Sequence, residues 1–186
     1  LSDSQADAAP SDQVLVGDTE RAVATGLHRL QVGDVPGAVS VLEALEARVA
    51  PALDPNVQSA LALARAAHGD VGAALADADA VDGHDRSSYL DRIVGGIARG
   101  LAHGRRGDHP AAGAAFDQVR ATADATEDRV SSALTRVGDA MAASARGEAD
   151  AASRMGEADR RLAELGLSDT GWRRAFSLAL GISWAA

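Results

Sequence analysis

The 186 residues predict an all-α chain, a solenoid of about four antiparallel helical hairpins followed by a C-terminal capping helix. Three observations predict it. A glycine followed by an acidic residue recurs along the chain, at Gly33-Asp34, Gly69-Asp70, Gly107-Asp108 and Gly147-Glu148. Five residues after each glycine stands Ala38, Ala74, Ala112 or Ala152, and seven before it stands Gly26, Ala62, Gly100 or Ala140. No stretch carries the apolar–polar alternation of a strand. The glycines lie 36, 38 and 40 residues apart, so the unit drifts slightly in length.

Each part of the unit has a physical role. The glycine suits the left-handed position that closes one helix. The carboxylate beside it can cap the free N–H groups of the next helix and favours that helix's positive end. Pro36 and Pro110 fall in the first turn, where a missing N–H costs nothing. The two small residues, one per helix, let the backbones approach. One such hairpin cannot bury its own apolar face, and stacking several can.

Taken in order, residues 1–13 (LSDSQADAAPSDQ) are small, polar and aperiodic, and are expected to be linker or tail. Paired helices follow at 16–31 and 34–49, 55–67 and 70–81, 87–105 and 108–123, and 127–145 and 148–165. These give units of about 14–50, 54–83, 86–124 and 127–166. Gly166 stops the last of them, and Ser168-Asp169 signals a further helix over 169–184. That segment carries Trp172, Phe176 and Trp184, and is expected to cap the array or to begin another repeat.

The Gly-acid turn with small residues on both flanking helices resembles the tetratricopeptide repeat over about Val14 to Leu165. In that family Gly-Asp or Gly-Asn often forms the inter-helix turn, and a large residue follows the second small site by four positions, as Phe116 follows Ala112. The chain departs from the family in lacking its early Trp, in placing Arg29, Arg65, His103 and Ala143 where the family has a Tyr, and in its longer interval. The resemblance implies a non-enzymatic scaffold that binds a protein or peptide in a groove made by the first helix of each pair.

Composition narrows the function. The net charge of -9 opposes binding to nucleic acid or to an anionic membrane surface. No apolar run reaches the ~18 residues of a membrane span. Cysteine is absent, which removes thiol chemistry and leaves the compartment open, cytoplasmic or extracytoplasmic. Every basic residue is arginine, and with abundant alanine this suggests a GC-rich bacterial coding bias. Leu1 in place of a start Met reads as the beginning of a fragment or a processed chain, which favours a sensory or regulatory domain of a larger bacterial protein as the alternative role.

Tempting sites have plainer readings. Arg106-Gly107-Asp108 spells a cell-adhesion tripeptide, yet its Gly-Asp is the recurring turn. Asp77, Asp79, Asp82 and Asp85 crowd Gly83, but Ala78 and Ala80 fall at the first two ligand positions of a calcium loop and Tyr89 at the last. The five histidines show no metal-binding spacing, and no nucleophile elbow, phosphate loop or dinucleotide fingerprint occurs, so neither metal nor cofactor is expected and a metal-dependent enzyme is the third reading.

Aligned on the turn glycines, the expected groove comprises Val23, Leu27 and Leu30, then Leu63, then Ile97 and Leu101, then Val137 and Met141, with Arg105 and Glu20 as polar members. The same helical spacing marks a core stripe, so groove and core remain alternatives for the apolar members. A groove of this kind would take an amphipathic helix or an apolar extended segment. Self-association is compatible with it.

Overall fold

A computed structural model describes residues 11–49 and 54–167. They form eight helices and no strand: α1 (Ser11–Gln31), α2 (Val35–Val49), α3 (Pro55–His68), α4 (Val71–Gly83), α5 (Tyr89–Arg105), α6 (His109–Ala125), α7 (Arg129–Ala145) and α8 (Ala151–Glu164). α1 begins at Ser11 rather than near residue 16, because Ser11-Asp12 after Pro10 is itself a helix-start signal. The expected 169–184 helix lies outside the described residues.

The turns have one geometry. Gly33, Gly69, Gly107 and Gly147 take φ values of 84°, 105°, 78° and 72°, the left-handed region that a Cβ disfavours. The following acid donates its N–H five residues back, from Asp34 to Arg29, Asp70 to Arg65, Asp108 to His103 and Glu148 to Ala143. This satisfies carbonyls that the helix end would leave open. In three turns the acid then caps the next helix: the side chains of Asp34, Asp70 and Asp108 accept from Gly37, Ala73 and Ala111 at 3.1, 3.2 and 3.2 Å. Each such cap contributes about 0.5–2 kcal/mol. α5 opens on a reciprocal box in which Ser88 and Asp91 each bind the other's N–H.

The fourth turn differs. Glu148 makes no cap, and α8 starts at Ala151 after Asp150, which also makes no side-chain cap. The Glu148 carboxylate instead takes Arg146 at 2.6 Å and Arg154 at 3.2 Å. The register slips by one residue as a result. Ala151 is buried and the expected Ala152 is exposed.

The other small sites lie where two helices meet. Gly26, Ala62, Gly100 and Ala140 are buried on the first helices, and Ala38, Ala74 and Ala112 on the second. Phe116 of α6 shows why. Its ring lies between Gly100 of α5 and Gly138 of α7, and a Cβ on either would stand 2.6 Å from it. The glycines therefore accommodate the one large aromatic side chain of the described core, which joins Leu30, Leu42, Leu61, Ile93, Met141 and Leu162.

Stacking is asymmetric. Each first helix packs on the next, α1 on α3, α3 on α5 and α5 on α7; α2, α4 and α6 each pack on the first helices to either side, and α8 packs on α7. The second helices α2, α4, α6 and α8 make no more than marginal contact with one another. Between each successive pair runs a trough with a first helix as its floor.

Candidate functional site

The expected groove residues are placed by burial. Val23, Leu30, Leu63, Ile97, Leu101, Val137 and Met141 are all buried, none above 5% exposed. Leu27 is half-buried and packs on the same core. These side chains therefore do not line an open groove. In helices this rich in alanine and glycine, the few large residues fill the interior, and the spacing that suggested a groove is the spacing of that core stripe. Glu20 and Arg105 are exposed. Arg105 reaches back to the preceding unit, where a Cβ on Gly69 would lie 2.9 Å from its guanidinium.

The other singled-out residues serve the scaffold. Asp108 of the tripeptide caps α6, with His103 Nδ1 at 3.8 Å from its other oxygen. Asp77 binds Arg65 of α3, while Asp79 and Asp82 both bind Arg99 of α5, at 2.9 and 2.8 Å. Among the described residues no three metal-ligating side chains converge, and no helix is long and apolar enough to cross a membrane.

The three troughs differ in how charge spans them. Over α3, Arg65 joins both walls: it binds Glu46 of α2 at 2.6 Å, with Glu43 at 3.6 Å, and Asp77 of α4 at 2.7 Å. Burial lowers the Arg65 pKa, yet the bonds to Asp77 and Glu46 outweigh it and hold the guanidinium above its ordinary range. Burial pushes the Asp77 carboxyl up, and the bonds from Arg65 draw it back only in part. The first trough is closed by this ionic strap.

Over α5, Arg99 holds only the α4 wall. The α6 wall, with Gln118, Val119 and Thr122, is unbridged and borders a hollow of about 520 Å³. Gly96 lies on the floor there, with the Val119 methyl directly over its Cα.

Over α7 the trough is open along most of the helix. Three hollows follow one another between α6 and α8: about 550 Å³ beside Gly113, Ala114 and Arg146, about 170 Å³ between Arg120 and Glu157, and about 550 Å³ beside Asp124 and Glu164. Asp139 of the floor binds Arg154 of α8 at 3.2 Å, and Arg120 of α6 binds Asp117 on its own helix. No ion pair of the described residues joins α6 to α8. The side chain of Arg136, on the floor between the last two hollows, makes neither ion pair nor hydrogen bond with a described residue.

No family model, curated protein or solved structure matches the chain. The site rests on geometry alone.

Sequence spacing passed over Arg136, although a signal existed. Eleven residues before the turn glycines stand Ala22, Gln58, Gly96 and Arg136, so a long cation replaces smaller neutral residues at an inward-facing place.

Proposed function

We propose that this is a non-enzymatic, tetratricopeptide-like module that binds a protein or peptide segment, and that the segment lies in a trough between second helices instead of on the first-helix face. The observation that carries the reading is the run of hollows between α6 and α8, spanned at one end where Arg146 donates to the His109 carbonyl and pairs with Glu148, and crossed by no ion pair of the described residues beyond it. A cleft of that length with a mixed polar lining offers hydrogen bonds and charge along a chain, whereas its hollows converge on no nucleophile–base pair. The left-handed glycine turns and the buried small residues support the family resemblance.

A panel of peptides selected on the immobilised chain tests it. Ala114→Trp places a bulky ring on the exposed α6 wall of the third trough, and Gln118→Trp does the same in the second. Binding weakened at least tenfold by Ala114→Trp, with melting unchanged, is the expected result. Equal binding by parent and both variants would move the site off this face.

A further inference from the structure

Six of the half-buried arginines among the described residues are paired: Arg29, Arg65, Arg99, Arg120, Arg146 and Arg154. Arg136 is the exception. A guanidinium with no carboxylate bound to it offers its planar fork to an arriving anion with two oxygens. The nearest candidate within its own helix, Asp139, is held by Arg154 at 3.2 Å. The adjoining hollow of about 170 Å³ has room for the end of one side chain and is lined by three arginines, Arg120, Arg136 and Arg154, against two carboxylates, Asp139 and Glu157.

The neighbouring mouth has the opposite character. Asp124, Glu127, Asp128 and Glu164 surround it, against Arg129 and Arg161 at the rim and Arg136 at its inner end. Asp124 accepts from Ser132 Oγ at 2.7 Å, Asp128 caps α7 through Ser131, and Glu164 has Arg161 at 3.7 Å. Glu127 at the rim makes no ion pair with a described residue. From Arg136 to the start of α7 is two helical turns, roughly 10 Å.

We propose that the trough between α6 and α8 takes a peptide segment of mixed charge, with an acidic side chain seated on Arg136 and a basic side chain roughly 10 Å away, at the acid-rich mouth by Glu127 and Asp128. This rests on the peptide-binding reading above and deepens it. Charge complementarity sets the direction in which the segment runs: acid toward the middle of α7, base toward the α6–α7 connection. The two ends are too far apart to be satisfied by one free amino acid, so the ligand is a chain.

The test uses the whole chain and a phage-displayed library of random peptides of about twelve residues, long enough when extended to run the length of α7. Selected peptides should share an Asp or Glu followed or preceded at a constant distance by Lys or Arg. Changing that acid to its amide should weaken binding to the parent at least tenfold and make little difference to Arg136→Gln, since the two changes remove the same pair. Arg136→Gln should melt as the parent does, because it breaks no bond; Arg48→Gln, exposed on α2, serves as the control. Selected peptides without an acid, or peptides that bind Arg136→Gln at full strength, overturn the anchor and leave peptide binding standing. A selection that yields no binder overturns both. Should Arg136→Gln not fold, the acid-to-amide series on the parent decides: loss of binding supports the anchor and equal binding removes it.

Discussion

The first and third troughs are built from the same unit, yet one is strapped shut and the other is open. Over α3, acids stand on both walls, Glu43 and Glu46 on α2 and Asp77 on α4, and a single arginine from the floor meets them all. Over α7, acids are as plentiful, but Asp117 is taken by Arg120 and Asp139 by Arg154, and Glu157, which lines the same hollow, makes no ion pair with Arg136. Whether a solenoid closes between its second helices thus depends on how its charges are apportioned, not on how many it has. The first-helix layer below is common to all units and is held by apolar packing.

Breaking that common layer gives the largest effect. Leu101→Glu or Met141→Glu places a carboxylate where the side chain is 1% exposed. Burying it unpaired costs several kcal/mol, so circular dichroism should show an unfolded or aggregated chain for both. A cooperative melt near the parent temperature would mean that these side chains face a groove after all.

Next is the seat of Phe116. Gly100→Leu drives a branched side chain into the ring and should cost about 1–3 kcal/mol or more by overpacking. Unchanged melting would show that α5 and α6 are not in this register. Arg65→Gln ranks third and sharpens the comparison directly. It leaves Asp77 and Glu46, partly withdrawn from water, without their cation, a loss of about 1–3 kcal/mol. Arg136→Gln should stay within about 0.5 kcal/mol, as a residue without partners does. Equal melting losses for the two would erase the distinction between strapped and open troughs.

Much of this scaffold was legible in the sequence. Gly107 at φ 78° and Asp108 capping Ala111 follow from a residue that tolerates the left-handed region and a carboxylate set to receive an N–H. The burial of Gly100 follows from its place seven residues before the turn. What spacing could not convey was which side of a helix a neighbour covers, so Leu101 and Met141 fitted groove and core equally. Nor could it convey competition among charges. Glu148 matches Asp108 by position, but Arg146 and Arg154 draw it away from the helix end, and α8 begins late. The repeat register marks Arg136 as the odd residue at its position, but that it lacks a carboxylate is known only from the pairs around it.

Among the changes that break a contact, the turns give the smallest effect. Asp108→Ala removes a cap and should cost about 0.5–2 kcal/mol, whereas Glu148→Ala removes none and should cost less. The Glu148 carboxyl is nevertheless held below its ordinary value by the hydrogen bond and charge of Arg146, with Arg154 adding to it. A depressed carboxylate stabilises the fold above its unfolded pKa, and that part is lost as pH falls through the lower folded value. In a carbon-detected titration Glu148 should therefore ionise below the ordinary value of 4.5, and Asp77 above the ordinary 3.8. The reverse order would place burial and pairing at the wrong residues.

On this reading the open α6–α8 trough, and not the first-helix face, receives a partner segment. Backbone and arginine side-chain NMR spectra of the labelled chain, recorded while a selected acidic peptide is added, test it most directly. Shifts are expected along Ala114, Arg120, Arg136 and Glu157, with the Arg136 Nε–H signal moving most, and little change around Arg65. Shifts gathered at Arg65 or at the first-helix residues Leu27 and Arg105, with Arg136 unmoved, would contradict it.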